Sequence, residues 1–159
     1  MAKKWIHIVL IALSGLILAG VGIAVRYRTP DQTVIEVDVR NGETQTIRFE
    51  SLCLVPGEVC DYTLTLGSHV TGGLIELAFR DQAPEKMLKA YAFVRIEYGD
   101  RVICDARLDS VFAQGALQVA LTGAEHGAVR ISYYLPQDVG NEAQNAEADF
   151  ELLVTAKNE

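Results

Sequence analysis

Side chains able to do chemistry are sparse in this 159-residue chain. Its histidines are His7, His69 and His126. His7 lies in an apolar run, two residues from Trp5, and reads as an interfacial residue. His69 and His126 fall in the turn-like stretches GSHVTGG and GAEHGA. Glu125-His126 is not the HExxH arrangement that sets two zinc ligands on one helix face. No GxSxG elbow occurs, and the serines lack an evident base partner. Asp100, Asp105 and Asp109 are not spaced like the ligands of an EF-hand loop. They read as solvated charge at strand ends. Gly72-Gly73 lacks the lysine and following helix of a phosphate loop. Catalysis needs a convergent cluster, so the expectation is a non-enzymatic protein with no catalytic residue, no cofactor and no metal site.

The three cysteines include no CxxC, which argues against a zinc ribbon. Cys53 and Cys60 flank Pro56-Gly57. If 55–58 closed a two-residue hairpin, they would face each other about 4.5–5.5 Å apart. That lies inside the disulfide range. Pro-Gly favours a type II turn, which splays hairpin strands, so the chain can instead cross between sheets there. Two readings follow: a Cys53–Cys60 disulfide in an oxidising compartment, or ordinary buried thiols. Cys104 is left over as a small hydrophobe or a free thiol.

Two kinds of element must carry these residues. Trp5 to Val25 reads WIHIVLIALSGLILAGVGIAV, with no formal charge. About 20 apolar residues cross a bilayer as a helix. Lys3 and Lys4 precede the run; Arg26 and Arg28 follow it. Trp5 and Tyr27 sit where aromatic rings favour the interface. The expectation is a signal-anchor helix over 5–25 in an N-terminal anchor, 1–28, meeting membrane lipid through residues 5–25. A cleaved secretory signal is the alternative, although its apolar core is usually ~7–15 residues. The best junction follows Ala24, with Gly22 two residues before it, and is not an A-x-A site.

After Tyr27 the period becomes two. Val34 to Val39 and Thr44 to Phe49 flank Asn41-Gly42, a strong hairpin signal. Alternation recurs at 62–66, 75–79, 92–98, 117–121, 129–135 and 150–156. Pro56-Gly57, Gly72-Gly73, Gly99-Asp100, Gly123 and Gly140-Asn141 punctuate these runs. Pro84 to Ala90 could form a turn or two of helix. Asn141 to Glu147 reads as a loop. The fold class expected is all-β: a jelly-roll or Ig-like β-sandwich of about 8–9 antiparallel strands over 29–159, preceded by one transmembrane helix.

Charge is divided in the same way. Lys plus Arg number 14 and Asp plus Glu 21, a net charge of -7. Every acidic residue lies beyond Arg28. An acidic domain repels both nucleic acid and an anionic leaflet, so no nucleic-acid partner is expected.

The C-terminal third carries a recognisable pattern. Tyr134-Leu135-Pro136 is followed by Gly140-Asn141-Glu142-Ala143-Gln144, then Phe150 and Ala156. Upstream, in order, come Leu54, Pro56-Gly57-Glu58, Tyr62 to Leu66, and Gly72 before Ile75 and Leu77. Over about residues 45–156 the chain resembles the TasA/camelysin-type family of Gram-positive secreted matrix proteins. The resemblance implies a jelly-roll-like sandwich, export, and a role at the cell surface or in biofilm matrix, with some members assembling by strand exchange. It also implies an extracytoplasmic C-terminal domain. Pro136, Gly140, Asn141, Gln144 and Phe150 form the family-like motif and read as structural. Gly140-Asn141 suits a positive-φ turn, and Asn141 and Gln144 can bond loop backbone.

The functional expectation is a membrane-anchored module of surface or matrix assembly. It would act on a protein partner or on copies of itself through edge-strand pairing. A tethered ligand-binding or sensory domain, with an ion or sugar near Asp100 to Asp109, is the first alternative. A cleaved and secreted matrix subunit is the second.

Overall fold

The computed structural model describes residues 33–67, 70, 73–121, 127–143 and 145–157. The expected membrane helix 5–25 lies outside these residues, as do His7, His69, His126 and Gln144. Among the described residues, no helix is long and apolar enough to cross a membrane.

Alternation of apolar and polar residues resolves into nine strands among the described residues. They are β1 (Thr33–Val37), β2 (Thr44–Cys53), β3 (Val59–Leu66), β4 (Gly73–Asp81), β5 (Phe93–Tyr98), β6 (Arg101–Arg107), β7 (Leu117–Leu121), β8 (Ala128–Tyr134) and β9 (Glu147–Lys157). Along β9, Ala148, Phe150, Leu152, Val154 and Ala156 are buried and their neighbours are not, as a strand with one covered face requires.

The strands make a two-sheet sandwich, β1-β3-β8-β5-β6 against β2-β9-β4-β7. The antiparallel pairs nest: β2 with β9, β3 with β8, β4 with β7, β5 with β6. Successive pairs fall in alternate sheets, so most connections cross between sheets. Among the described strands, only β5 and β6 are joined by a hairpin, at Gly99-Asp100, where Gly99 has φ +57°.

Two expectations change here. The Asn41-Gly42 signal does not close a hairpin. β1 joins β3, and β2 joins β9 in the other sheet. The turn is held from outside: the Gly42 amide donates to the Ala156 carbonyl at 2.8 Å. Crossing there buries Val37 and Val39 and lets β1 and β2 present apolar faces toward one another across the core. The β1–β3 pairing is also parallel, so the sheets are not wholly antiparallel.

Two elements are additional. β6 occupies a stretch where the sequence shows no alternating run. Helix α1 (Leu108–Gln114) follows it directly. Leu108 and Val111 are fully buried and Phe112 packs beside them. Gly115, at φ +84°, ends the helix. The short helical stretch expected over 84–90 is a 3₁₀ turn, Leu88–Ala90, whose Leu88 is buried.

Candidate functional site

A two-sheet sandwich has two open ends, and this one treats them differently. At one end α1 packs over β4, β5, β6 and the 3₁₀ turn. Leu88, Leu108 and Val111 are each 0% exposed, and the Phe112 ring stands 5.7 Å from that of Phe150. This mouth is closed.

At the other end lie the edge strands β1 and β2, one from each sheet. A cleft of about 480 Å³ opens between them, lined by Thr33, Ile35, Ile47, Phe49, Leu52, Cys60 and Tyr62 among others. Ile35, Ile47, Cys60 and Tyr62 are only partly buried. The Gln45 side-chain amide, donating to the Glu36 carbonyl at 3.0 Å, bridges the two edges near one end of the cleft. The crossing 54–58 bounds the other.

Behind the cleft runs a chain of rings. Tyr62 meets Phe49 edge-on at 5.1 Å, and Phe49 stacks on Phe150 at 4.7 Å. Tyr133 touches all three, at 5.4 to 5.7 Å. Such pairs add roughly 0.5–1.5 kcal/mol each beyond area burial. The Tyr133 hydroxyl is buried and has no hydrogen-bond partner among the described residues.

The chemistry of this wall is neutral. Burial pushes the Tyr133 hydroxyl well above its ordinary value. Burial raises the Tyr62 hydroxyl, with Cys60 adding. Burial also raises the Cys60 thiol, reinforced by Glu58, Asp61 and Cys53. A thiol held protonated is a poor nucleophile. The cleft can take up apolar side chains, and the flanking strands can offer backbone hydrogen bonds.

Side-chain ion pairs and a backbone hydrogen bond fix the rim. β2 carries a bulge between Phe49 and Leu52, with Ser51 at φ +52°. The Ser51 amide donates to Asp149 at 2.8 Å. Lys86 donates to Glu147 at 2.8 Å and to Asp149 at 2.9 Å. Those carboxylates push the lysine up to about 12. It is a clamp, not a free amine.

The residues singled out from the sequence are distributed as follows. Cys53 and Cys60 both line the cleft, and both thiols are free. The turn over 55–58 does form, with the Glu58 amide donating to the Val55 carbonyl at 3.0 Å. Its arms then diverge into different sheets, so the two cysteines are not cross-strand partners. Pro136 accepts from the Val139 amide at 3.2 Å and Gly140 from the Ala143 amide at 3.4 Å. The positive φ belongs to Asn145, at 62°, not to Gly140-Asn141. Asn141 begins a 3₁₀ turn, Asn141–Ala143. Phe150 lies apart from this loop, in the core. The two family-like blocks do touch: the Gly57 amide donates to the Leu135 carbonyl at 2.9 Å.

The three aspartates do not converge. Asp105 accepts from the Tyr134 hydroxyl at 2.8 Å and lies 3.6 Å from Arg95. Asp109 accepts from Arg107 Nη2 at 3.0 Å and from its Nε at 3.1 Å. Asp100 stands at the β5–β6 turn. Among the described residues, no group of three His, Cys, Asp or Glu side chains could hold a metal ion. Ile35 and Ile47, which define the cleft, carry no signal in the sequence, because nothing local marks β1 and β2 as edges.

No family model and no curated protein matches the chain. Among solved structures it is similar to Aeromonas hydrophila PliG, a periplasmic inhibitor of g-type lysozyme, at 14% identity and TM-score 0.43, covering 78% of this chain and 97% of that one. It is similar to FlhE at 14% identity and TM-score 0.44, covering 73% and 97%. For the CUB1-EGF-CUB2 domains of rat MASP-1 the values are 15% and 0.41, covering 77% of this chain and 42% of that one. Similarity of this degree transfers no function from one chain to another.

Proposed function

We propose that this chain is a membrane-tethered, extracytoplasmic module of a Gram-positive-type bacterium that acts without catalysis, assembling surface or matrix structures through protein contacts at the open mouth. The observation that carries this reading is that β1 and β2 are each, among the described residues, the edge strand of their sheet, with the apolar cleft between them. An extended segment laid on either edge gains main-chain hydrogen bonds. Its alternate side chains then enter the cleft beside Ile35, Ile47 and Tyr62, which supplies specificity. A second copy of the chain or a different protein can provide that segment.

Other features agree. The nested pairs β2·β9, β3·β8, β4·β7 and β5·β6, alternating between sheets, support a jelly roll in which β1 is an added strand. The YLP and GNEAQ blocks support kinship with the TasA/camelysin-type family. The uncharged run 5–25 supports an anchor, and the acidic domain supports a module that stands off the lipid. A cleaved, released matrix subunit is the alternative form.

The test is to fractionate producing cells, take the intact mass of the chain, and photo-cross-link through a probe at Val34, which is 64% exposed on β1. Full-length chain in the membrane, cross-linked at Val34 to itself or to a second protein, is the expected result. Extracellular chain starting near Val25 would replace the anchor with release. Absence of any cross-link at Val34 would overturn assembly at this edge.

A further inference from the structure

We propose that Cys53 and Cys60 are a dithiol–disulfide pair that locks the open mouth by tying the end of β2 in one sheet to the start of β3 in the other. The role of this lock in assembly rests on the open-mouth reading; the bond itself does not.

The geometry is set by the crossing between the sheets. The 55–58 turn is closed by the Glu58 amide on the Val55 carbonyl and pinned by the Gly57 amide on the Leu135 carbonyl. A closed four-residue turn keeps its ends within about 7 Å. Cys53 and Cys60 stand two residues outside it, one on each arm. Both line the same cleft, Cys53 exposed and Cys60 half-buried. Cys104 lies on β6, at the opposite edge of the sheet from β1, so topology selects the partner.

The reaction needs a disulfide acceptor, and oxidised glutathione serves as the chemical class. The exposed Cys53, as thiolate, attacks one glutathione sulfur; the other glutathione leaves as a thiol. Cys60 then gives up its proton and displaces the second glutathione from Cys53. Two protein thiols lose two protons and two electrons in total, and the acceptor is reduced to two thiols. The product holds the 54–58 crossing in one shape, so the cleft is presented pre-organised.

The test treats the full chain, purified in detergent, with oxidised glutathione, then counts free thiols and maps the peptides. The expected result is one remaining free thiol, Cys104, and a chain about 2 Da lighter with Cys53 joined to Cys60. Cys104→Ser should keep the bond. Amide exchange over 54–58 should slow on oxidation and recover with reductant. Three free thiols after treatment, stable mixed adducts with glutathione, or a bridge involving Cys104 would each overturn the pair. Cross-linking through Val34 reads assembly separately: its failure leaves the disulfide standing, and failure of the disulfide leaves the cross-link standing.

Discussion

The two ends of the sandwich are made from the same kind of strand and finish in opposite ways. At the α1 end, seven residues between β6 and β7 form a helix whose Leu108 and Val111 are wholly withdrawn from water. At the β1/β2 end, the link between the edges is the short crossing 38–43, and Ile35, Ile47 and Tyr62 stay partly exposed. The rings of Tyr62, Phe49, Phe150 and Phe112 connect one end to the other. A sandwich of this size can therefore bury its core against its own chain at one mouth and leave the other open.

Substitutions can break or sharpen that contrast. Leu108→Ala empties a fully buried site and should cost about 2–5 kcal/mol. Ile47→Ala at the open mouth removes side chain already partly in water and should cost about 1 kcal/mol. Denaturant midpoints measured side by side check the difference; equal losses would erase the distinction between the mouths.

Tyr133→Phe probes the ring chain between them. It removes a buried hydroxyl that lacks a partner among the described residues, and should leave stability unchanged or raise it by about 1 kcal/mol. A clear loss in thermal midpoint would mean that the hydroxyl is satisfied.

The smallest effect is expected at the rim. Hydrogen bonds from Lys86 and from the Ser51 amide hold Asp149 below its ordinary 3.8. Its contribution is complete above that value and is lost as pH falls through the lowered one. Lys86 is raised from 10.5 to about 12, so its contribution is complete below 10.5 and is lost as pH climbs through about 12. The destabilisation by Lys86→Met should thus be constant between about pH 5 and 10 and shrink on either side. Lys86, Asp149 and Glu147 keep 25%, 30% and 45% of their side-chain surface in water, so solvent screening holds the effect to a modest one. A Lys86→Met penalty that varied across neutral pH would contradict the clamp.

Much of this architecture is legible in the sequence, because a strand with one covered face writes its own period. The alternating runs at 44–49, 62–66, 75–79, 117–121 and 150–156 all fall within observed strands. β6 is not legible: a register shift between Ile96 and Glu97 breaks its alternation, leaving Val102 exposed beside a half-buried Ile103. α1 is too short to show a helical period. The Asn41-Gly42 turn has hairpin residues but bonds to Ala156, over a hundred positions away, and no local pattern encodes that. The cleft is hidden for the same reason. Which strands are edges depends on long-range pairs such as Ile47 with Leu152, not on the composition of β1 or β2.

The most direct measurement is sedimentation equilibrium of the full chain in detergent, comparing wild type with Ile35→Lys and Val102→Lys. Ile35 lines the open mouth; Val102, 50% exposed, marks the β6 edge at the closed one. An inward charge at an edge blocks strand addition. Wild type and Val102→Lys should self-associate alike with rising concentration, while Ile35→Lys stays monomeric. If assembly is lost in Val102→Lys and kept in Ile35→Lys, contact is made at the closed end, and the open mouth is not where this protein meets its partner.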